Sequence, residues 1–207
     1  MTQHQIGFLF LGAGKSTRMR GRDKLLQKID GVPLIKRTLN EALKLNFPVF
    51  VTIPVNETKR KLIIATTNAV IIEVPDAELG MGHSIATGTF EITKKLNILS
   101  IAICPADLPN LNEDSLKKLI NYFFKSPEMI CRPTNLGKSK IGHPVIFPKK
   151  YFEELKSIKG DMGARDILHK NGKGFNRFET DEESYFIDLD TPEDFNNWKN
   201  RLVNKQE

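Results

Sequence analysis

The stretch IGFLFLGAGKSTRMRGRDKLL, residues 6–26, decides how the rest of the chain is read. Its apolar run, Ile6 to Leu11, has the length of a buried strand and ends in the small-residue turn Gly12-Ala13-Gly14. Lys15, Arg18, Arg22 and Lys24 follow within ten residues, and Gly21 interrupts any helix among them, so the cations ride on a loop. Two phosphate-binding motifs fail on spacing. A P-loop needs glycine five positions before the Gly14-Lys15 pair, where Leu9 stands, and a dinucleotide fingerprint needs glycine at the position of Thr17. What remains is a turn whose backbone N–H groups can approach phosphate, with cations spread beside it. Such a loop suits a nucleotide triphosphate whose α-phosphorus changes partners, because stabilising charge on the equatorial and leaving oxygens is most of what a protein contributes to that chemistry.

Outward from this loop the chain alternates. Leu34, Ile35, Leu39, Ala42 and Leu43 recur near helical spacing, with Pro33 suited to a first turn. PVFVTIP reads as a strand, residues from about Glu57 to Thr67 as a basic-faced helix, and AVIIEVP as a further strand. After the turn GMGHS comes a helix to about Leu96, then LSIAICP as a buried strand and a helix from Asn112, its cap, to Lys125. Short β-branched runs separated by helices imply a parallel sheet wrapped by helices. The last third is less regular: MICRP, PVIFP, helices near Tyr151 to Ser157 and Met162 to Lys170, extended stretches around Phe175 and from Tyr185 to Leu189, and a final helix opened by Thr191-Pro192.

Three further segments carry chemistry. In SIAICPADLPNL, Asp107 lies just past a buried strand, where ligands sit in open α/β sheets, and a carboxylate there suits Mg²⁺; it would equally serve as a turn or cap residue. In YFIDLDTPEDF an extended backbone would put Asp188 and Asp190 on one face, a pairing that calls for a metal or a cation, while Asp190 before Thr-Pro could instead cap the last helix. GMGHSIATG reads as a flexible turn leading into a helix N-terminus open to an anion or a base, with Gly82 and Ser84 in it and His83 as an exposed turn residue. IGHPVIFP and GDMGARDIL add Gly-rich turns with His143, Asp161 and Arg165, which read as a pocket wall for a second substrate or simply as loops.

Composition narrows the class. At 207 residues, with 40% hydrophobic and 27% charged residues, the chain can bury about 70% of its unfolded surface in one core and needs no disulfide or metal staple. Disorder, collagen-like repeats and membrane spans are excluded, and no basic stretch precedes the short first apolar run as in a signal peptide, so a cytoplasmic protein is expected. Cys104 and Cys131 have no CxxC spacing and read as buried thiols. The net charge of +6 is scattered, and three Tyr and one Trp offer no aromatic-interleaved basic stripe, which argues against nucleic acid as a partner.

Taken in order, LGAGKSTRM with KLL, GMGHSIATG, CPADLP, GHPVIF, GDMGARDIL and DLDTPEDF resemble the molybdenum cofactor cytidylyltransferase family, within the wider group of small MobA-like and MocA-like nucleotidyltransferases. The resemblance runs from residue 9 to residue 195. It implies a Rossmann-like three-layer α/β fold with a mostly parallel central sheet, as one domain over residues 1–207, nucleotide-binding to about residue 110 and acceptor-binding beyond. It implies Mg²⁺-dependent transfer of a cytidylyl group from CTP to the phosphate of Mo-molybdopterin, with pyrophosphate released and a molybdenum hydroxylase as recipient of the product. Carried over by position, Leu11, Gly12, Ala13, Gly14, Gly82 and Ser84 would contact the nucleotide, Arg18 and Lys24 the triphosphate, Asp107 with Asp188 or Asp190 the metal, and His143, Asp161 and Arg165 the acceptor. Ala13, where guanylyl relatives carry a second glycine, and Gly142-His143-Pro144-Val145 point to CTP over GTP. The chain departs from the family in reading Leu-Gly-Ala-Gly for Leu-Ala-Ala-Gly, in one extra residue between Arg18 and Lys24, and in Ile141 before Gly-His-Pro. Two other readings are a nucleotidyltransferase with GTP or another phosphorylated acceptor, and a non-catalytic carrier of the finished dinucleotide; a pure binder has no need of Lys24 and Asp107 together.

Overall fold

The computed structural model describes residues 6–137, 139–160, 164–170 and 175–203. In chain order the elements are β1 (Ile6–Leu11), β2 (Lys28–Ile29), β3 (Val32–Pro33), α1 (Leu34–Leu43), β4 (Val49–Pro54), α2 (Thr58–Ile64), β5 (Val70–Val74), α3 (Met81–Lys95) and β6 (Ser100–Pro105). There follow α4 (Glu113–Phe123), β7 (Ile130–Thr134), β8 (Val145–Pro148), α5 (Phe152–Lys156), α6 (Arg165–Lys170), β9 (Phe175–Glu179) and α7 (Pro192–Val203). Seven strands form one sheet in the order β5-β4-β1-β6-β8-β7-β9, and β8 alone runs antiparallel to its neighbours. The α/β architecture and mostly parallel sheet expected from the alternation are present.

The layers follow from which side chains each strand turns to which face. Ile6, Phe8 and Phe10 of β1 pack on one side with Ile35, Leu39 and Ala42 of α1 and with Leu116, Leu119, Ile120 and Phe123 of α4. Leu9 points the other way, into a cluster with Ile85 and Ile92 of α3 and Phe152 and Leu155 of α5. Buried on both faces, β1 is a continuous apolar run, as a central parallel strand must be. A third cluster joins Met19, Ile29 and Leu34 to Leu189, Phe195 and Trp198, so that α7 is clamped against the cation-bearing loop and the small β2–β3 hairpin behind it. Asp30 and Gly31, with φ of 50° and 78°, make the turn of that hairpin.

Two segments differ from their sequence reading. Residues 80–84 are not a turn: Gly80, at φ 106°, stops the preceding 3₁₀ turn, and α3 begins at Met81. Gly82 enters the helix because a Cβ there would lie 2.5 Å from Ile158 Cγ2 and 2.7 Å from the Gly160 carbonyl. Residues 185–190 are not a strand either, but a 3₁₀ turn, Glu183–Tyr185, followed by an irregular crossing. Tyr185 is buried in the first cluster and Leu189 in the third. Cys104 and Cys131 are both buried and free, and burial pushes the Cys131 thiol up to about 12. Among the described residues no helix is long and apolar enough to cross a membrane.

The close approach of α3 to β1 depends on Gly88, where an added Cβ would sit 2.6 Å from Leu9 Cδ1 and 3.2 Å from its Cγ. Gly88→Ala is therefore expected to lower stability by about 1–3 kcal/mol through overpacking. Urea unfolding should show a lower midpoint at an unchanged slope.

Candidate active site

Strand order places the site. From β1 the chain moves through β4 to the β5 edge, and from β6 it builds toward β9, so the order reverses between β1 and β6. Open α/β sheets carry their ligand crevice at the carboxyl ends of such a strand pair. Here those ends are Leu11 and Pro105, paired in register, and the two chemistry-bearing segments, Gly12-Ala13-Gly14 and Ala106-Asp107, leave from them side by side. A cavity of about 340 Å³ opens there, lined among others by Ala13, Gly14, Lys15, Lys24, Ser84 and Asp107.

The two loop glycines have opposite surroundings. A Cβ on Gly12 would press against Ile53 Cδ1 at 2.9 Å and the Thr52 carbonyl at 3.0 Å, so only glycine lets the loop leave β1 so close to β4. A Cβ on Gly14 would meet nothing within 4 Å, and Gly14 lines the cavity. Lys24 starts a 3₁₀ turn, Lys24–Leu26, whose cap is the Asp23 carboxylate accepting from the Leu25 N–H at 3.0 Å. From this fixed base Lys24 Nζ donates to Asp107 Oδ2 and, at 2.7 Å, to Asp190 Oδ1. Arg18 Nη2 pairs with the other oxygen of Asp190 at 2.7 Å, although that guanidinium is largely exposed and the pair contributes little to stability.

Asp190 is available for this role because it is not the helix cap. Thr191 Oγ1 accepts from the Asp194 N–H at 3.1 Å while Asp194 Oδ2 accepts from the N–H groups of Thr191 and Asp190 at 2.8 and 3.1 Å, a reciprocal cap one residue later. The backbone on either side is tied down, since the Leu189 N–H donates to the Asp107 carbonyl at 3.3 Å.

Charges decide the protonation states. Burial works against the Lys24 ammonium, but Asp107 and Asp190 outweigh it and raise its pKa above 10.5, so the side chain is cationic at neutral pH. Desolvation and the charges of Asp107 and Asp190 push the Asp188 carboxyl above its ordinary value, and Asp188 makes no ion pair with a described residue. Asp107 keeps one oxygen, Oδ1, buried and without a hydrogen-bond partner. Asp107 and Asp190 reach one nitrogen, and so are placed to reach one cation. Among the described residues no group of three His, Cys, Asp or Glu assembles as a metal site. Mg²⁺ needs only one or two carboxylates when phosphates and water supply the rest, so the donor set fits an ion that arrives with a nucleotide rather than a resident protein cage.

The structure thus brings together Leu11, Ala13, Gly14, Lys24, Ser84 and Asp107 around the cavity, with Asp190 and Arg18 attached through Lys24 and each other. Gly12 and Gly82 act from behind, through close packing. His143 does not line this cavity; its backbone N–H donates to the Tyr185 carbonyl. Asp161 lies outside the described residues, as does the side chain of Arg165 on α6. Lys15, one of the loop cations, also lines the cavity, as does Glu78, which no motif marks, while Arg60, within a helix whose face reads as basic, is buried beneath the loop. Its signal was its spacing: Arg60 stands four residues before Ile64 and shares that residue's inner helical face.

The chain matches the MobA-like NTP transferase domain over residues 8–175. It is 30% identical over 196 residues to the purine catabolism protein PucB of Bacillus subtilis strain 168, covering 90% of this chain and 92% of that protein. Among solved structures it is similar to Rv0371c from Mycobacterium tuberculosis H37Rv, with a TM-score of 0.80 at 23% identity over 95% of this chain and 98% of that one. It is also similar to a CMP:2-keto-3-deoxy-manno-octonic acid synthetase complexed with CTP, with a TM-score of 0.74 at 12% identity over 97% and 99% of the two chains. The two structural likenesses establish the shared fold.

The crowding of Asp188 has a measurable result. Between pH 3.8 and the higher native pKa the folded protein holds this proton more tightly than the unfolded chain, so its ionisation costs folded stability as pH rises through that window. Asp188→Asn is expected to raise the melting temperature at pH 7 in metal-free buffer. The difference from the parent should shrink as the pH is lowered toward 4.

Proposed function

This chain belongs to the MobA-like NTP transferase family and is a nucleotidyltransferase, and on that premise we propose that it transfers a cytidylyl group from CTP to the terminal phosphate of a molybdopterin, releasing pyrophosphate. The observation that carries the reading is the convergence of Asp107 and Asp190 on Lys24, with Lys24 and Asp107 lining the cavity beside Ala13 and Gly14. Loop amides, one buried cation and two carboxylates are what an in-line displacement at an α-phosphorus asks of a protein. The acceptor phosphate oxygen attacks the α-phosphorus, the bond to the α,β-bridging oxygen breaks, and its electron pair leaves with pyrophosphate. No protein nucleophile takes part.

In this reading Asp107, through its unpaired Oδ1, and Asp190 hold Mg²⁺, with Asp188 adjacent. An ion held by these carboxylates would supply positive charge against that carried by the phosphates. Lys24, cationic across the physiological range, exchanges its carboxylate partners for phosphate oxygens when the nucleotide enters. The loop N–H groups and Lys15 hold the triphosphate, and Ser84, on the first turn of α3, offers a hydroxyl to the same cavity. His143, Asp161 and Arg165 remain the residues we assign to the acceptor by family resemblance. The choice of CTP rests on Ala13, and a structural neighbour of nearly equal length that is complexed with CTP supports it. The relative named for purine catabolism supports a molybdenum hydroxylase as recipient, since ring hydroxylation of purines is that enzyme class's chemistry.

Pyrophosphate release measured with each of the four NTPs and Mg²⁺, with and without Mo-molybdopterin, tests the proposal. Release with CTP only when the pterin is present is the expected result. Release with GTP would transfer the chain to guanylyl chemistry, and silence with every NTP would leave another phosphorylated acceptor or a carrier role. Asp107→Ala should cut turnover by ~10²-fold or more while the protein stays folded, by analogy with the loss of one charge-stabilising group from a preorganised site. Wild-type turnover in that variant would remove the metal role of Asp107.

A further inference from the structure

Arg60 is an arginine on α2 with a relative exposure of only 4%. A guanidinium cannot shed its charge, so a position this deep requires partners for its N–H groups. It has three. Nε donates to Asp23 Oδ2 at 2.6 Å, and Nη1 donates to two backbone carbonyls, those of Gly12 at 2.6 Å and Gly14 at 2.9 Å. The acceptors lie 37 to 48 residues away in sequence, so α2 is fastened to the loop from below.

The geometry of the peptide group turns this fastening into a statement about the cavity. A trans peptide is planar, with its C=O and N–H pointing in opposite directions. Fixing the Gly12 carbonyl toward Arg60 aims the Ala13 N–H away from it, and fixing the Gly14 carbonyl does the same for the Lys15 N–H. Ala13 and Lys15 both line the cavity, and no residue of α2 does. The third bond acts on the cation: Asp23, held by Arg60, uses its other carboxylate oxygen to cap the 3₁₀ turn that begins with Lys24.

We infer that Arg60 is the positioning residue of the nucleotide site, presetting the Ala13 and Lys15 amides and the Lys24 turn to receive a triphosphate. It touches no substrate. It acts by holding two peptide planes and one carboxylate in the orientation the ligand needs, so that the loop does not have to be ordered at the moment of binding. A lysine could not replace it, because a single ammonium lacks the planar fork that serves Asp23 on one edge and the paired carbonyls on another.

The inference rests on this cavity being a nucleotide site, and the experiment keeps the two claims apart by measuring binding directly, without an acceptor. Isothermal titration of the full chain with Mg-CTP and the other Mg-NTPs comes first; if the unaltered protein binds none of them, the nucleotide reading fails. Given binding, Arg60→Lys and Arg60→Ala should each weaken it by roughly tenfold or more, the loss expected for one or two charge-assisted bonds. Guanidinium ion at low millimolar concentration should restore part of the affinity to Arg60→Ala and none to Arg60→Lys, whose ammonium fills the vacated space. A merely structural arginine would change the melting temperature without that rescue. Should Arg60→Ala fail to fold, Asp23→Asn, which leaves the carbonyl bonds in place, is expected to weaken binding by a smaller factor than Arg60→Lys. Unchanged affinity in a folded Arg60→Lys protein would overturn the inference.

Discussion

The ammonium of Lys24 ties together three parts of the chain: the loop after β1, the end of β6, and the crossing that leads into α7. Asp107 and Asp190 repel one another, and neither would be stable so close to a second carboxylate without a cation between them. Burial of the lysine costs solvation free energy, which its two partners offset well enough to raise its pKa rather than lower it. The contact is a constraint more than a source of stability. It holds the loop, the carboxyl end of β6 and the crossing before α7 around one cation.

The supports around it are mechanical. The loop leaves β1 in a gap that admits only glycine at position 12, and it is held from below by α2. Asp23 caps the turn under Lys24, and the reciprocal cap of Thr191 and Asp194 relieves Asp190 of a structural duty it would otherwise compete for. Met19 of the loop and Leu189 beside Asp190 are buried in the same apolar cluster, so hydrophobic burial also holds the cations near the second carboxylate. Polar groups here give orientation, and apolar contacts give proximity.

Much of this was legible in the chain itself. β1, β4 and β6 are short runs bounded by turn residues, and a carboxylate just past β6 could be placed at the crevice because the periodicities already implied a parallel sheet. The reversal at β8 is not in that reading, which places PVIFP only within a less regular last third. The β2–β3 hairpin escaped because two-residue strands have no period, although Asp30-Gly31 is a strong turn signal. Asp190 before Thr-Pro suits a cap and a ligand equally, and only the placement of Asp194 decides between them. Arg60 was masked by its charge: a basic residue on a basic helix reads as surface, and only its spacing from Ile64 marks the inner face, while the carbonyls that hold it leave no trace in a side-chain pattern.

The sequence separation of 166 positions from Lys24 to Asp190 also sets a schedule for biosynthesis. Chains emerge from the ribosome at ~5–20 residues per second, so Lys24 waits on the order of 10–30 s for its second partner. Asp107 appears about midway, and until Asp190 follows, Lys24 has one of its two carboxylates. An N-terminal fragment long enough to form the β5-β4-β1-β6 half of the sheet would display the glycine loop with its lysine incompletely anchored. Such a nascent chain has the outline of the pocket without its finished charge balance, so competence for the ligand arrives late in synthesis, close to the time when α7 can fold down over the loop.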